Sequence, residues 1–277
     1  MAVFDNHIHL RASFKGVEAA KAFEKAGGTA ILLTHSPYVE VPITRADDYE
    51  KAYGLTLAMA DAVRAATHLQ VFVALGPYPV EFIDLRETLG HEAAIDAMKR
   101  AIDLAATHIR ERRAIAFGEI GRPHFPVDAG IVRACNDLVV YAMAQAKSLE
   151  CAVVLHTEDP TPATFAEFAG MAARAGLDPK YVVKHHSTPF TRREDTSGLV
   201  PSILAKEELV AQALKGGSRF LLETDYIDDP RRPGAVLGPA TVPKKTRAWL
   251  EKGLLTSEQA ASIHHDLPQR TYRIEIN

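Results

Sequence analysis

The sequence has few cysteines and no long hydrophobic run. Cys135 and Cys151 are its only cysteines, so they cannot build the multi-disulfide framework of a small secreted domain. No apolar stretch approaches the roughly 20 residues that a membrane-spanning helix needs. The N-terminal MAVFDNHIHL lacks the basic segment and apolar stretch of a signal peptide. We therefore expect a cytoplasmic protein without a membrane anchor.

A large excess of one charge is also lacking. The formal net charge is −3, with 24% charged and 47% apolar residues, so composition gives no sign of a duplex-binding surface. The length of 277 residues suits an α/β barrel, for which about 250 residues is typical. Because we find no repeat, low-complexity segment or composition break, we predict a single domain over residues 1–277.

Short apolar runs alternate with longer, alanine-rich segments of helical pattern. We predict strands near residues 2–6, 30–34, 70–76, 114–120, 152–156, 181–185, 198–203 and 219–225. Continuous apolar strands that alternate with helices indicate a parallel sheet with both faces covered. Eight such units predict a (β/α)8 TIM barrel. An open doubly wound sheet is the alternative, but no G-x-G-x-x-G follows the first strand.

Metal-capable side chains stand at the ends of five predicted strands. His7 and His9 end the first strand, where the alternation of side chains lets them share a face with Asp5. The ends of later strands carry Glu119, His156, the pair His185 and His186, and Asp225. Each residue alone has an ordinary structural explanation. In a barrel, however, the C-terminal ends of strands meet at the catalytic rim, so the five together predict a metal site.

Imidazoles and carboxylates in one site indicate hydrolytic chemistry. Zinc and manganese accept both ligand types, and one carboxylate can bridge two cations held about 3.5–4 Å apart. A two-cation site generates hydroxide from water near neutral pH and polarises the bond to be cleaved. These ligands therefore predict a metal-dependent hydrolase.

The motifs, in their order along the chain, resemble the TatD-related metal-dependent hydrolases of the amidohydrolase superfamily. They are D-x-H-x-H at 5–9, GEIG at 118–121, the histidine in VVLHTED, the histidine pair in VVKHHS, and ETD at 223–225. The resemblance covers nearly the whole chain. It implies a TIM barrel with two divalent metal ions, zinc first, with manganese, magnesium, nickel or iron as alternatives.

The resemblance also implies roles for the individual residues. His7 and His9 would bind one metal, Glu119 would bridge the two, and His156 and the strand-six histidine would complete the second site. Asp225 would bind metal and handle the proton of the water, which makes Asp225 and Glu119 the expected catalytic residues. Related phosphotriesterases and lactonases usually have a carbamylated lysine at the position of Glu119, so this residue favours the TatD side.

Two departures from the family pattern concern the substrate. GPYP at 76–79 stands where TatD nucleases carry a histidine near the substrate, and the chain ends in DLPQRTYRI. The resemblance therefore implies the metal site more strongly than nuclease activity.

The strand-six ligand is His186 or His185. If His186 faces inward, alternation turns Lys184 inward too, where it could pair with Glu223 beneath the metals. With His185 inward, Lys184 would turn its charge into the helix layer without an obvious partner, which is costly. We therefore favour His186 and keep His185 as the alternative.

Candidate substrate-binding residues follow strands four and eight. Arg122 and His124 come directly after GEIG, and Arg231 and Arg232 lie in a loop rich in proline and glycine. Arginine could hold a phosphate through paired donors, although such a loop is often simply solvated. His264 and His265 fall in a predicted terminal helix, where we expect them at the surface.

Three functions are compatible with these residues. The first is a binuclear hydrolase of TatD type that acts on a phosphoester, in a nucleic-acid end or a small nucleotide. The second hydrolyses a lactone, an ester or a cyclic amide at the same metals. The third is a barrel that binds metal without turnover. The sequence carries no signal for the oligomeric state.

Overall fold

The computed structural model describes residues 1–229, 231 and 236–277. Its strands are β1 (Phe4–His9), β2 (Ala30–Thr34), β3 (Gln70–Leu75), β4 (Ala116–Gly121), β5 (Ala152–His156), β6 (Val182–Lys184), β7 (Val200–Leu204), β8 (Leu221–Glu223) and β9 (Tyr226–Ile227). Its α-helices are α1 (Val17–Lys25), α2 (Asp48–Ala66), α3 (Glu81–Leu89), α4 (His91–Arg110), α5 (Ala129–Leu149), α6 (Pro162–Ala175), α7 (Glu207–Leu214), α8 (Thr241–Glu251), α9 (Ser257–Ala261) and α10 (Leu267–Tyr272).

The strands form one parallel sheet that closes on itself. Strands β1 to β8 pair in sequence order, and β9 pairs with β1 on the other side. Strand β8 pairs with β7, and β9 pairs with β1. Only Thr224 and Asp225 separate β8 from β9, so this short segment of chain connects the two edges of the sheet. The backbone N–H of Asp225 also donates to the carbonyl of His7 at 3.0 Å. This closure confirms the predicted (β/α)8 barrel.

The buried residues form two apolar layers. The larger lies between the barrel and its helices and includes Phe23, Phe82, Phe165 and Trp249. The smaller is made mainly by small side chains of the strands, and residues of the C-terminal segment such as Tyr272 pack against it. Both layers are apolar, and the candidate metal ligands lie at the C-terminal ends of the strands instead. Among the described residues, no helix combines the length and apolar character that crossing a bilayer requires.

Strand positions agree closely with the sequence patterns, with one useful difference. The first strand was predicted over 2–6 but runs from Phe4 to His9, so it extends through both histidines and His9 is its last residue. β7 forms although Pro201 lacks an N–H, and Pro201 pairs in register with Lys184.

The prediction that His264 lies at the surface was wrong. Its ring is fully buried, with Nδ1 3.2 Å from the backbone N and O of Phe4 and Nε2 2.9 Å from Thr246 Oγ1. It lies in a π-helical turn, Ser262–Asp266, just before α10. His265 is half exposed, as predicted. His264 therefore ties the C-terminal segment to the start of β1.

Acid should destabilise the fold through His264. Burial lowers its pKa from 6.5 to about 4, so the unfolded chain binds the proton first as the pH falls below about 6.5. Linkage then gives a loss of about 2 kcal/mol in unfolding free energy from this group by about pH 5. In His264→Gln, which cannot titrate there, urea unfolding at about pH 7.5 and pH 5 should show a difference smaller by that amount. Parallel pH dependence in both proteins would contradict this.

Candidate metal centre

The candidate ligands meet at the C-terminal rim of the barrel. His7 and His9 come from β1, Glu119 from β4 and His156 from β5. The register of β1 shifts between Asp5 and Ile8, and that of β4 shifts between Phe117 and Ile120. Such irregularities change the direction of side chains next to active sites, and the two shifts enclose His7 and Glu119. His185 is the first residue after β6, and Asp225 is the second residue after β8.

Four of these side chains direct a nitrogen or oxygen towards one point. His7 Nε2 lies 3.1 Å from His9 Nε2 and 2.7 Å from Glu119 Oε1. Asp225 Oδ1 lies 4.0 Å from His7 Nε2 and 3.7 Å from His9 Nε2. Ligands bound tetrahedrally at about 2.0–2.1 Å from zinc are about 3.3 Å apart. The observed separations are therefore of the size that a single divalent cation requires.

A second group shares Glu119 with the first. His156 Nδ1 lies 3.3 Å from Glu119 Oε2, and His185 Nε2 lies 3.4 Å from Glu119 Oε1. The two imidazoles are themselves 3.0 Å apart, between Nδ1 of His156 and Nε2 of His185. One carboxylate thus contacts histidines of both groups. The six residues fit a metal centre by donor type and by spacing.

Outer partners orient these ligands. His9 Nδ1 lies 2.8 Å from the carbonyl of Thr34, so Nδ1 carries the proton and Nε2 is left as the ligand. Asp5 accepts hydrogen bonds from the backbone N–H groups of His7, at 3.2 Å, and Thr224, at 3.0 Å. The hydroxyl of Thr224 donates to the second carboxylate oxygen of Asp5 at 2.7 Å. Asp5 therefore joins β1 to the end of β8 and supports the ligands.

The charges of the cluster are strongly interdependent. Burial disfavours the imidazolium of His7, but the hydrogen bond to Glu119 and the charges of Glu119, Glu223 and Asp225 together outweigh burial and raise the pKa of His7 to about 9. Burial would likewise raise the pKa of Glu119, yet His156 and His185 hold it well below its usual range. For Asp225 the contacts with His186 and His9, together with the charges of His185 and His7, outweigh burial and lower the pKa. Both carboxylates are therefore ionised and suited to bind cations.

The structure favours His185, rather than His186, as the strand-six ligand. His185 is buried and stacks on His7, with ring centroids 4.1 Å apart. The side chain of His186 is 47% exposed, and its Nδ1 lies 3.1 Å from Asp225 Oδ2. The alternation argument was wrong here because β6 ends at Lys184, and His186 adopts a left-handed backbone with φ 46°. Strand geometry therefore does not extend to the two histidines.

The predicted pair of Lys184 and Glu223 is not formed as a direct contact. Lys184 Nζ donates to the carbonyl of His185 at 2.5 Å, and burial lowers its pKa to about 8 despite the nearby charge of Glu223. Glu223 instead accepts from the N–H of His186, at 2.7 Å, and from the hydroxyl of Ser202. Both charged groups are buried beneath the cluster, and each finds polar partners of its own.

A cavity of about 570 Å³ opens above the cluster. His9, Glu119, His156, His185 and Asp225 form part of its wall, so these five candidate ligands are accessible to a small molecule, whereas His7 lies behind them. His124 and Arg231 line it as well, which places two of the predicted substrate-binding residues at the site. His124 Nδ1 lies 2.9 Å from His156 Nε2. Arg232 lies outside the described residues.

Arg122 is engaged elsewhere. Its Nε and Nη2 donate to the carboxylate of Glu158, at 3.0 and 2.5 Å, and Nη1 and Nη2 donate to Glu167, at 2.8 and 2.9 Å. The guanidinium also packs over the ring of Phe168 at 4.9 Å. All three of its nitrogens are occupied, so the prediction that it contacts substrate is not supported.

We expect Arg122→Met to weaken the fold rather than substrate binding. The change leaves Glu158 and Glu167 without their shared cation, which should lower the unfolding free energy by about 1–3 kcal/mol. Urea unfolding measures this loss, and steady-state kinetics should give a KM within about twofold of wild type. A large rise in KM with unchanged stability would return Arg122 to the substrate site.

Arg11 and Tyr78 are among the residues of the cavity wall that sequence reasoning missed. Arg11 continues the alternation of His7 and His9 by one further step, and this spacing could have identified it. Tyr78 belongs to the GPYP segment, where a histidine is expected, and its hydroxyl lies 3.3 Å from His156 Nε2. The substituted motif thus still brings a polar side chain to the cluster.

Comparisons with known proteins agree on the fold and the family. The family model described as TatD related DNase matches residues 4–273. An uncharacterized protein of Methanocaldococcus jannaschii is 34% identical over 282 residues, which span 100% of this chain and 97% of that protein. The TatD homologue YjjV from Escherichia coli K12 superposes with a TM-score of 0.64 at 18% identity, over 98% of each chain. An organophosphorus hydrolase from Deinococcus radiodurans gives 0.66 at 15% identity, over 98% of this chain and 92% of that one. At these identities, the structural likenesses show a shared barrel fold.

Proposed function

Because this chain belongs to the TatD-related DNase family, we propose that it is a divalent-metal-dependent hydrolase that cleaves a phosphoester. One observation carries the proposal. The carboxylate of Glu119 lies 2.7 to 3.6 Å from four imidazoles, with Oε1 near His7, His9 and His185 and Oε2 near His156. A carboxylate that contacts the histidines of both groups can bridge two cations.

We assign one ion to His7, His9, Glu119 and Asp225, and a second to Glu119, His156 and His185. Zinc suits the four imidazoles best, and manganese, nickel, iron or magnesium are alternatives. When bound, such cations lower the pKa of water and polarise a phosphoryl oxygen. The protein contributes a rigid, largely buried set of donors, so the ligands need little rearrangement.

We infer that Asp225 accepts a proton from the attacking water. Its Oδ1 faces His7 and His9, and its Oδ2 contacts His186 Nδ1 at 3.1 Å, at the edge of the cavity. His186 is half exposed, and its contact with Asp225 raises its pKa. A proton taken up by Asp225 could pass to His186 and then to solvent, because the two side chains are in hydrogen-bond contact. Asp225 and His186 are thus the proposed proton pathway.

Cationic groups on the cavity wall favour a phosphoester over a carbonyl substrate. Arg11 and Arg231 both line the cavity, and guanidinium donors match the oxygens of the phosphate groups that a phosphorylated substrate carries. Pro37, Ile227 and Val236 add a small apolar area to the cavity wall. This apolar area is the feature that favours the alternative substrate, a lactone, ester or cyclic amide. A nucleic-acid end and a small nucleotide both present the phosphoester that the proposal needs.

The test compares substrates with and without metal. Protein stripped by a chelator and reloaded with zinc or manganese is assayed against p-nitrophenyl phosphate, bis-p-nitrophenyl phosphate and a single-stranded oligonucleotide. A γ-lactone, p-nitrophenyl acetate and a cyclic amide represent the alternative. We expect metal-dependent cleavage of at least one phosphoester, at least about tenfold faster than any carbonyl substrate. Preference for the lactone would favour the alternative, and no turnover of any substrate by loaded protein would indicate a non-catalytic barrel.

A further inference from the structure

We propose that Arg11 anchors a second anionic group of the substrate, separate from the bond that is hydrolysed. The inference rests on the proposed function, because it assigns a substrate class to the same cavity. That class is a short molecule in which a phosphoester and a further phosphate or carboxylate lie a few bonds apart.

Arg11 lies one step from the metal ligands. It follows His9 by two residues, and both side chains line the cavity. Two residues of extended chain span at most about 7 Å. A group held by Arg11 is therefore only a short linker away from a group held at the candidate metal site.

The guanidinium of Arg11 is held in place, but not all of its hydrogen-bond donors have a partner. Its Nη2 donates to the carbonyl of Pro37 at 2.7 Å and reaches Ser36 Oγ at 3.4 Å, and its Cζ lies 5.5 Å from the ring centroid of Tyr38. Nη1 lies 3.9 Å from Asp229 Oδ2, which is too far for a hydrogen bond. Within the described residues, the buried Nε has no hydrogen-bond partner. Donor capacity thus remains on a side chain that is only 10% exposed.

The carboxylates near Arg11 are committed to other donors. Asp229 accepts from Arg231 at 2.6 Å, 2.9 Å and 3.0 Å, through Nη2, the backbone N–H and Nε. Asp228 accepts from the backbone N–H of Arg11, from two further N–H groups of the loop after β1, and from the hydroxyl of Tyr226. Arginine does not lose its proton in proteins, and a buried cation normally has a paired anion. A ligand anion would supply the missing direct partner.

The chemistry of the guanidinium selects the kind of group. Its donors match the oxygens of carboxylates and phosphates and form charge-assisted hydrogen bonds. Such bonds are worth about 1.5–3 kcal/mol each, which corresponds to roughly tenfold to a hundredfold in affinity. A substrate with one anionic group would leave Arg11 unpaired and would bind correspondingly less well.

Non-hydrolysable probes test the inference by binding alone. The zinc-loaded protein is titrated calorimetrically with propylphosphonate, propane-1,3-bisphosphonate and 4-phosphonobutanoate, whose three-carbon chains end in a methyl, a phosphonate and a carboxylate. We expect at least one of the doubly anionic probes to bind about tenfold or more tightly than propylphosphonate. Tighter binding of the bisphosphonate indicates a second phosphate, and tighter binding of the carboxylate probe indicates a carboxylate.

Variants assign that preference to Arg11. In Arg11→Gln and Arg11→Met the preference should fall to about twofold or less, while propylphosphonate binds as in wild type. The methionine variant keeps an apolar stem against Tyr38, in case the glutamine variant folds poorly. Arg110→Gln, at the exposed end of α4, removes the same charge away from the cavity and should keep the full preference. Absence of a preference in wild type, or its survival in a folded neutral variant, would overturn the proposal.

The binding test is independent of turnover. If the protein shows the Arg11-dependent preference but hydrolyses no phosphoester, the anchor stands and the proposed function fails. If the protein is a metal-dependent phosphoesterase without the preference, the proposed function stands and the anchor fails.

Discussion

Glu119→Gln should lower the metal content from about two ions per chain to one or fewer and should slow phosphoester hydrolysis by about 10³-fold. The amide keeps the size of the side chain but loses the charge and one of the two ligand oxygens. Glu119 contacts four imidazoles at 2.7 to 3.6 Å, so both candidate ions depend on it. A rate loss in this range is expected when a charged group that organises the reacting water is removed. Elemental analysis and steady-state kinetics on the purified variant measure the two effects.

Glu158→Gln is the matched control for this prediction. Both are glutamates of neighbouring strand regions, Glu119 in β4 and Glu158 shortly after β5. Glu158, however, accepts hydrogen bonds from Arg122. This variant should keep both metals and most of the activity, with a modest loss of stability. Two ions per chain and wild-type rates in Glu119→Gln would contradict the bridging role.

His185→Ala and His186→Ala should separate binding from proton transfer. Removing His185 takes a buried imidazole from the second metal group, and we expect metal affinity to fall by more than about 100-fold. The reason is that even residues outside the ligand set contribute about 10–100-fold. His186 contacts Asp225 from the rim, so its removal should leave the metal content unchanged and lower kcat by about tenfold.

Competition with a chromophoric chelator measures both affinities, and the pH profile of kcat adds a second readout for His186. The two variants control for each other, because adjacent histidines are changed to the same residue. Metal loss in His186→Ala together with full metal retention in His185→Ala would restore the assignment that strand alternation favoured.

The sequence predicts the barrel well because its signals are local and repeated. Most buried strands are short apolar runs, such as AILLT at 30–34 and AVVLH at 152–156, and most of these runs are followed by a helical pattern, although no helix separates β6 from β7. The strand ends then identify the candidate ligands, since topology alone brings the C-terminal ends of parallel strands together. His7, His9, Glu119, His156 and Asp225 all lie where this argument places them.

The remaining differences arise where local rules stop. His185 and His186 follow the last residue of β6, so the period of two cannot decide which of them faces inward. Arg122 donates to Glu158 and Glu167, which lie 36 and 45 residues further along the chain, and no sequence spacing reveals these contacts. His264 contacts Phe4 across 260 residues. These features depend on tertiary contacts, which single-sequence patterns do not contain.

An anomalous difference map from crystals of the metal-loaded protein tests the central claim most directly. Two peaks should lie on either side of Glu119, one among His7, His9 and Asp225 and the other between His156 and His185. A single peak away from Glu119, or no peak within the cavity, would show that the clustered side chains do not form a bridged metal centre.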